Sequence, residues 1–118
     1  MSSYIKQKPE HPSFQKAGYF DGYVLSQLRN QMEIDYIDMY TGHDYYGIEE
    51  KNNRVYYILE GEGMACINQE KSPIKAGDII EIPAQTESAF VGRLKMLEIM
   101  QSVYNPNEHR DIRKNDML

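Results

Sequence analysis

Moving a proton next to a carbonyl needs only a positioned base and a positioned acid, and histidine with tyrosine can supply both. The chain carries three histidines and ten tyrosines, with one cysteine and no tryptophan. His43 lies in the stretch YTGHDYY, beside Tyr40, Tyr45 and Tyr46. Tyrosine also ranks high in strand propensity and suits interfaces and polar pocket walls, so composition alone leaves these rings open to a packing role. A lone cysteine excludes an internal disulfide and a cysteine-based zinc site. Cys66 sits in apolar Met64-Ala65-Cys66-Ile67, where a free thiol reads as a small buried hydrophobe. Net charge is −5, which opposes a phosphate backbone, and no basic cluster offsets it. The densest basic stretch, His109 to Lys114, is interrupted by Asp111 and reads as a solvated tail. Nucleic-acid binding is therefore not expected.

These side chains must be held by one small domain, since 118 residues leave no length for a second. Hydrophobic residues at 41% and charged residues at 26% support a core and are far from a disordered composition. No apolar run is long enough to span a bilayer, and the polar opening MSSYIKQKPEHPSF lacks a secretory apolar segment. A soluble cytoplasmic protein, away from membranes, is the expectation. Residues 1–13, with Pro9 and Pro12, read as an extended arm. Strand-like runs follow: 18–31 with a bend at Asn30-Gln31, 32–40, the dense stretch after Lys51-Asn52-Asn53, and 64–69 after a turn at Gly61-Glu62-Gly63. Ser72-Pro73 reads as a break and Lys75 to Asp78 as a turn. Strands are expected at 79–82, ended by Pro83, at 88–91, and at 94–100 beyond Gly92-Arg93. Short strands at this spacing predict an all-β sandwich or barrel. Residues 14–105 would form the domain and 106–118 a short helix or frayed tail.

Two blocks narrow the architecture: Tyr56 to Gly63 (YYILEGEG) and Lys75 to Ala84 (KAGDIIEIPA). In this order, spacing and ending they resemble the two motifs of the cupin superfamily, over roughly residues 34–104. The resemblance implies a double-stranded β-helix, a jelly-roll barrel with a cavity open at one end. Metal-binding cupins place two histidines and a glutamate in the first block and a third histidine in the second. Counting on the motif glycine and proline puts Ile48, Glu50, Arg54 and Ser88 at those positions. A permanent guanidinium stands where a cation would bind, so no metal and no cofactor is expected. His43 with Glu49 and Glu50 makes only a weak alternative.

By analogy Glu50, Arg54 and Ser88 should face the cavity. Arg54 would then pair with Glu50 as a substitute for the metal, or grip a carboxylate or phosphate of a ligand. Two functions follow. The first is a metal-independent binding module for a sugar or other small polar molecule, walled by Tyr40, Tyr45, Tyr46 and Tyr56. The second is a metal-independent isomerase or epimerase on a nucleotide-linked sugar, with His43 as base, Tyr56 or Tyr45 as acid and Arg54 as the grip. A metal-dependent dioxygenase ranks below both. Alternation puts Arg54, Tyr56 and Ile58 on one face of their strand and Val55, Tyr57 and Leu59 on the other. Apolar bulk on both faces predicts a homodimer that covers the outer one.

Overall fold

In a computed structural model, residues 2–118 are described and form an antiparallel all-β fold, with no α-helix among them. The strands are β1 (Phe14–Lys16), β2 (Phe20–Ser26), β3 (Glu33–Met39), β4 (Tyr45–Glu49), β5 (Arg54–Ile67), β6 (Glu70–Lys75), β7 (Ile79–Ile82), β8 (Ser88–Met100) and β9 (His109–Lys114). They make one curled sheet with the order β1-β2-β3-β8-β4-β9, and β5 attaches to β6, β7 and β8. The jelly-roll expectation holds.

Two expected turns are bends within long strands. β5 runs unbroken through Gly61 to Gly63 and β8 through Gly92-Arg93, paired from Arg54↔Met100 to Ile67↔Ser88. The register slips between Ile58 and Glu60, a bulge that lets the pair turn the corner from one half of the barrel to the other. Glycine is needed there: Gly61 has φ +91°, and a Cβ on it would sit 2.0 Å from the Arg93 carbonyl oxygen. The real turn lies later, at Asn68 and Gln69, both left-handed, and joins β5 to β6. Pro73 sits within β6, a strand paired on only one side, where its missing N–H costs no ladder bond.

Residues 109–114 are neither helix nor tail. They form β9, which pairs with β4 from Tyr45↔Lys114 to Glu49↔His109. The one-turn 3-10 helix Pro106–Glu108, capped by the Asn105 side chain, redirects the chain into it. Charged residues on a two-stranded barrel edge look like a solvated tail in sequence because nearly all of them face outward.

Register explains where the core ends and a cavity begins. Across β3, β8 and β5 the inward residues fall into rows: Ile37, Met96 and Ile58; then Asp35, Glu98 and Tyr56; then Glu33, Met100 and Arg54. The first row is fully apolar and joins Met39, Phe90 and Leu94 in a dry core. The next two bring five polar side chains onto one interior wall. On the outer face of β5, Tyr57 and Leu59 are exposed, as is Ile79 on β7. Among the described residues the arm has no strand, and its Lys8 ammonium rests 3.8 Å from the centre of the Tyr23 ring.

Candidate functional site

The polar rows open into a cavity of about 450 Å³, a volume suited to a small molecule. β3 contributes Glu33, Asp35 and Ile37, β5 Arg54 and Tyr56, and β8 Glu98 and Met100. His43, Asp44, Tyr45 and Glu49 come from the segment leading through β4, while Phe14, Lys16 and Phe20 approach from β1 and β2. Tyr104, His109 and Asp111 complete the rim on the C-terminal side.

A linear chain of hydrogen bonds crosses the floor. Arg54 Nη1 donates to the Tyr56 hydroxyl at 3.2 Å, and that hydroxyl donates to Glu98 Oε2 at 2.8 Å. Arg54 Nη1 also lies 3.8 Å from the same carboxylate oxygen, and Nη2 donates to Ser88 Oγ at 3.4 Å. Burial pushes the Glu98 carboxyl above its ordinary range, with Arg54 and the Tyr56 hydroxyl pulling the other way. Burial and the adjacent Glu98 charge raise Tyr56 well above the usual phenol value, so it stays protonated.

His43 is fixed from both sides. Its backbone N–H donates to the Phe90 carbonyl at 3.0 Å, and the Phe90 N–H donates back to its Nδ1 at 2.9 Å. Asn115 Nδ2 donates to the His43 carbonyl at 2.9 Å, and the ring packs against Phe20 and Phe90 at centroid distances of 5.8 and 5.2 Å. An amide cannot yield its proton, so the neutral ring carries its own on Nε2. Burial, reinforced by Arg54, lowers the imidazole pKa to about 4. His43 therefore offers the cavity an N–H donor at neutral pH, whereas the sequence suggested a base.

At the rim, His109 Nδ1 lies 3.3 Å from Glu49 Oε1 and Nε2 lies 2.8 Å from Asp111 Oδ1. The hydrogen bond to Glu49 raises its pKa first, burial opposes this, and Asp111 adds to the rise. Lys16 Nζ and Asp44 Oδ2 form a 3.4 Å pair on the opposite side.

Of the residues singled out from sequence, His43, Tyr45, Arg54 and Tyr56 line the cavity, and Ser88 stands behind Arg54. Glu50 does not meet Arg54. Its carboxylate accepts from Arg110 Nε on β9 at 2.8 Å, because β9 occupies the face of β4 where a free tail was expected. Tyr40 is on the exterior, bonded to Asp21. Tyr46 is packed with Cys66 and Ala89, away from the cavity, its hydroxyl donating to Asp116 at 2.7 Å.

Sequence reasoning missed Asp35, Glu98, Glu33 and His109 as cavity residues, and weighed Glu49 only as part of a weak metal site. A signal existed for Glu98, the single charge on the otherwise apolar face Leu94, Met96, Glu98, Met100. In β3, Glu33 and Asp35 alternate with Ile34 and Tyr36, a pattern that gave no hint that the acids point inward. For a metal, the donor set does not fit: Arg54 fills one family position, Ile48 and Ser88 hold two others, and Glu50 is engaged on β9. No three His, Cys, Asp or Glu side chains are grouped to hold an ion among the described residues.

No family model matches the chain. An uncharacterized protein of Methanocaldococcus jannaschii is 38% identical over 71 residues. The match covers 58% of this chain and 53% of that protein, so the chain spans about half the length of the curated relative. Among solved structures, a tyrosine-to-phenylalanine variant of Streptomyces PAC13 with uridine is 25% identical, with a TM-score of 0.85 over 97% of this chain and 93% of that one. Pac13 is described as a nucleoside dehydratase. Further uridine structures carry a second tyrosine-to-phenylalanine replacement and a histidine-to-glutamine replacement. The cupin domain of Schizosaccharomyces pombe Cnp3, 13% identical, superposes with a TM-score of 0.65 over 76% of this chain and 69% of that one. The chain has the cupin fold.

Proposed function

We propose that this chain is a small-molecule-binding cupin that admits an uncharged, nucleoside-like molecule and moves protons next to a carbonyl on it, giving isomerisation or loss of water. The reading is carried by one observation: the Arg54, Tyr56, Glu98 chain and the His43 donor share a single cavity. The comparisons support it. The histidine and tyrosines replaced in the PAC13 structures stand 13 and 34 residues apart in that protein, and His43, Tyr56 and Phe90 keep both intervals here. The second tyrosine is thus a phenylalanine in this chain.

Charge narrows the ligand. Glu33, Asp44, Glu49, Glu98 and Asp111 surround the cavity against Lys16, Arg54 and His109, a balance that disfavours a phosphate. Nucleotide-linked sugars therefore recede behind the nucleoside itself.

In the proposed reaction Glu98, a carboxylate made more basic by burial, takes the proton from the carbon next to the carbonyl. The electron pair moves onto the carbonyl oxygen, where His43 Nε2–H donates to the developing charge. Where the deprotonated carbon bears a hydroxyl, return of the proton to the former carbonyl carbon, with the hydroxyl proton passing to the former carbonyl oxygen, gives the isomer. Delivery of the Glu98 proton to a β-hydroxyl instead breaks the C–O bond and releases water. Tyr56 and Arg54 orient Glu98 throughout.

The test combines calorimetric titration with uridine and NMR in deuterium oxide on nucleosides bearing an aldehyde or ketone on the sugar. Binding, with deuterium uptake beside the carbonyl that falls at least ~100-fold in a folded Glu98→Gln variant, is the expected result. Failure to bind uridine at millimolar concentration overturns the ligand assignment. Binding without uptake on any substrate reduces the protein to a binding module.

A further inference from the structure

Gly22 stands inside β2, where glycine weakens a strand, and its φ is not left-handed, so no turn calls for it. What requires it is the ring of Phe14. The two residues pair directly across β1 and β2, and a Cβ on Gly22 would lie 2.1 Å from both Cε2 and Cζ of that ring and 2.6 Å from Cδ2. Gly22 in turn pairs with Ile37, so it continues the inward row of Ile58, Met96 and Ile37. The Phe14 ring thus occupies the place on the inner wall that a side chain at position 22 would take.

Core packing does not account for this ring. Phe14 is 38% exposed, whereas Phe90 in the core is 0% exposed, and all three residues of the edge strand β1 are exposed. The ring is seated against backbone, borders the cavity and keeps accessible surface. It meets Phe20 edge-on at a centroid distance of 6.4 Å, and Phe20 meets His43 edge-on at 5.8 Å. All three line the cavity, so an aromatic run leads from the exposed strand inward to the His43 donor. Accessible ring surface of this kind suits a flat conjugated heterocycle, which stacks on an aromatic side chain independently of the hydrogen bonds it makes.

We propose that Phe14, seated on Gly22, is the platform on which the planar base of the ligand stacks. This deepens the nucleoside reading and rests on it for the sugar attached to that base. With the base on Phe14, the sugar extends along Phe20 toward His43 and Glu98, where the proton transfer is placed. Phe14 touches the ligand, and Gly22 is a positioning residue that acts through it. Because Phe14 is on an edge strand, a side chain at position 22 displaces the ring outward rather than disturbing the core.

The experiment is calorimetric titration at pH 7 of the wild-type chain and of Phe14→Leu, Phe14→Tyr and Gly22→Ala, each checked for fold by circular dichroism. The probes are uridine, free uracil and 5,6-dihydrouridine, which keeps the sugar and the polar groups of the base but has a puckered, less conjugated ring. The wild type should bind uridine at least ~10-fold more tightly than dihydrouridine, equivalent to ~1.4 kcal/mol. Phe14→Leu, apolar but without a π face, should bring the two affinities within about twofold, and Phe14→Tyr should keep the preference. Gly22→Ala, which retains the ring but pushes it off its seat, should lower the ratio as well. A role in packing alone would weaken both nucleosides together, and a ratio that survives Phe14→Leu or Gly22→Ala overturns the platform. Equal affinity of the wild type for uridine and dihydrouridine overturns it too, while the nucleoside reading stands. Phe14-dependent binding of uracil without uridine binding keeps the platform and removes the nucleoside. Binding of no probe overturns both.

Discussion

His43 shows how one backbone hydrogen bond assigns chemistry to a side chain. The Phe90 N–H on Nδ1 fixes the Nε2–H tautomer, and a pKa near 4 keeps the ring neutral across the physiological range. A residue that works as a donor is better replaced by another donor than by a ring of similar bulk. His43→Gln, with its amide N–H, should keep uridine affinity within about threefold, whereas His43→Phe should lose at least ~10-fold, the worth of one well-placed hydrogen bond. A base would show the opposite dependence on pH, with affinity or rate rising through the histidine titration. The profile of wild-type binding between pH 5.5 and 8 should carry no histidine step from this residue.

β9 is the element that ties the C-terminal segment to the site. It closes the barrel against β4 and brings His109 and Asp111 to the rim. Just beyond it, Asn115 Nδ2 donates to both the His43 and Phe90 carbonyls, at 2.9 and 3.2 Å. Tyr46 is covered from the same direction, by the Arg113 guanidinium 4.1 Å from its ring centre and by Met117. Deleting residues 109–118 should therefore lower the midpoint of thermal unfolding markedly and abolish ligand binding. Asn115→Ala should act more locally, costing ~1–2 kcal/mol of stability from two lost hydrogen bonds at a buried position. Unchanged unfolding midpoints in both variants would show that β9 is only laid on the barrel.

At the scale of the whole molecule, the buried charges set how stability responds to pH. The unfolded chain releases the Asp35 proton near 3.8 and the fold holds it to about 9, so this group removes stability progressively as pH rises between those values. His43 works in the other direction. Below 6.5 the unfolded chain takes up a proton that the fold refuses down to about 4, so stability is lost as pH falls through that window. The two slopes oppose between about 4 and 6.5. Above that Asp35 acts without this opposition, and His109, whose raised pKa stabilises the fold only while it is protonated, adds to the decline. Denaturant unfolding should give highest stability in mildly acidic solution and a fall toward pH 9. Asp35→Asn should flatten the alkaline limb and add ~1–3 kcal/mol at pH 8. A profile flat from pH 6.5 to 9 in the wild type would contradict a neutral Asp35.

Strand spacing, turn residues and the two glycine-containing blocks settled the all-β barrel in the sequence, because alternation and turn chemistry are local properties that survive in one dimension. The same alternation put Arg54 and Tyr56 on an inward face, and the cavity receives both. Tertiary structure alone decided which carboxylates meet them. Asp35, Glu98 and Tyr56 are far apart in the chain and become neighbours only through the register of β3, β8 and β5, which no local pattern specifies. The family motif sets Glu50 beside Arg54 as one of its two candidate partners, yet β9 claims it from the other end of the chain. The tautomer of His43 likewise depends on Phe90, 47 residues away. Local sequence fixes which side of a strand a residue faces, whereas pairing across strands fixes what it finds there.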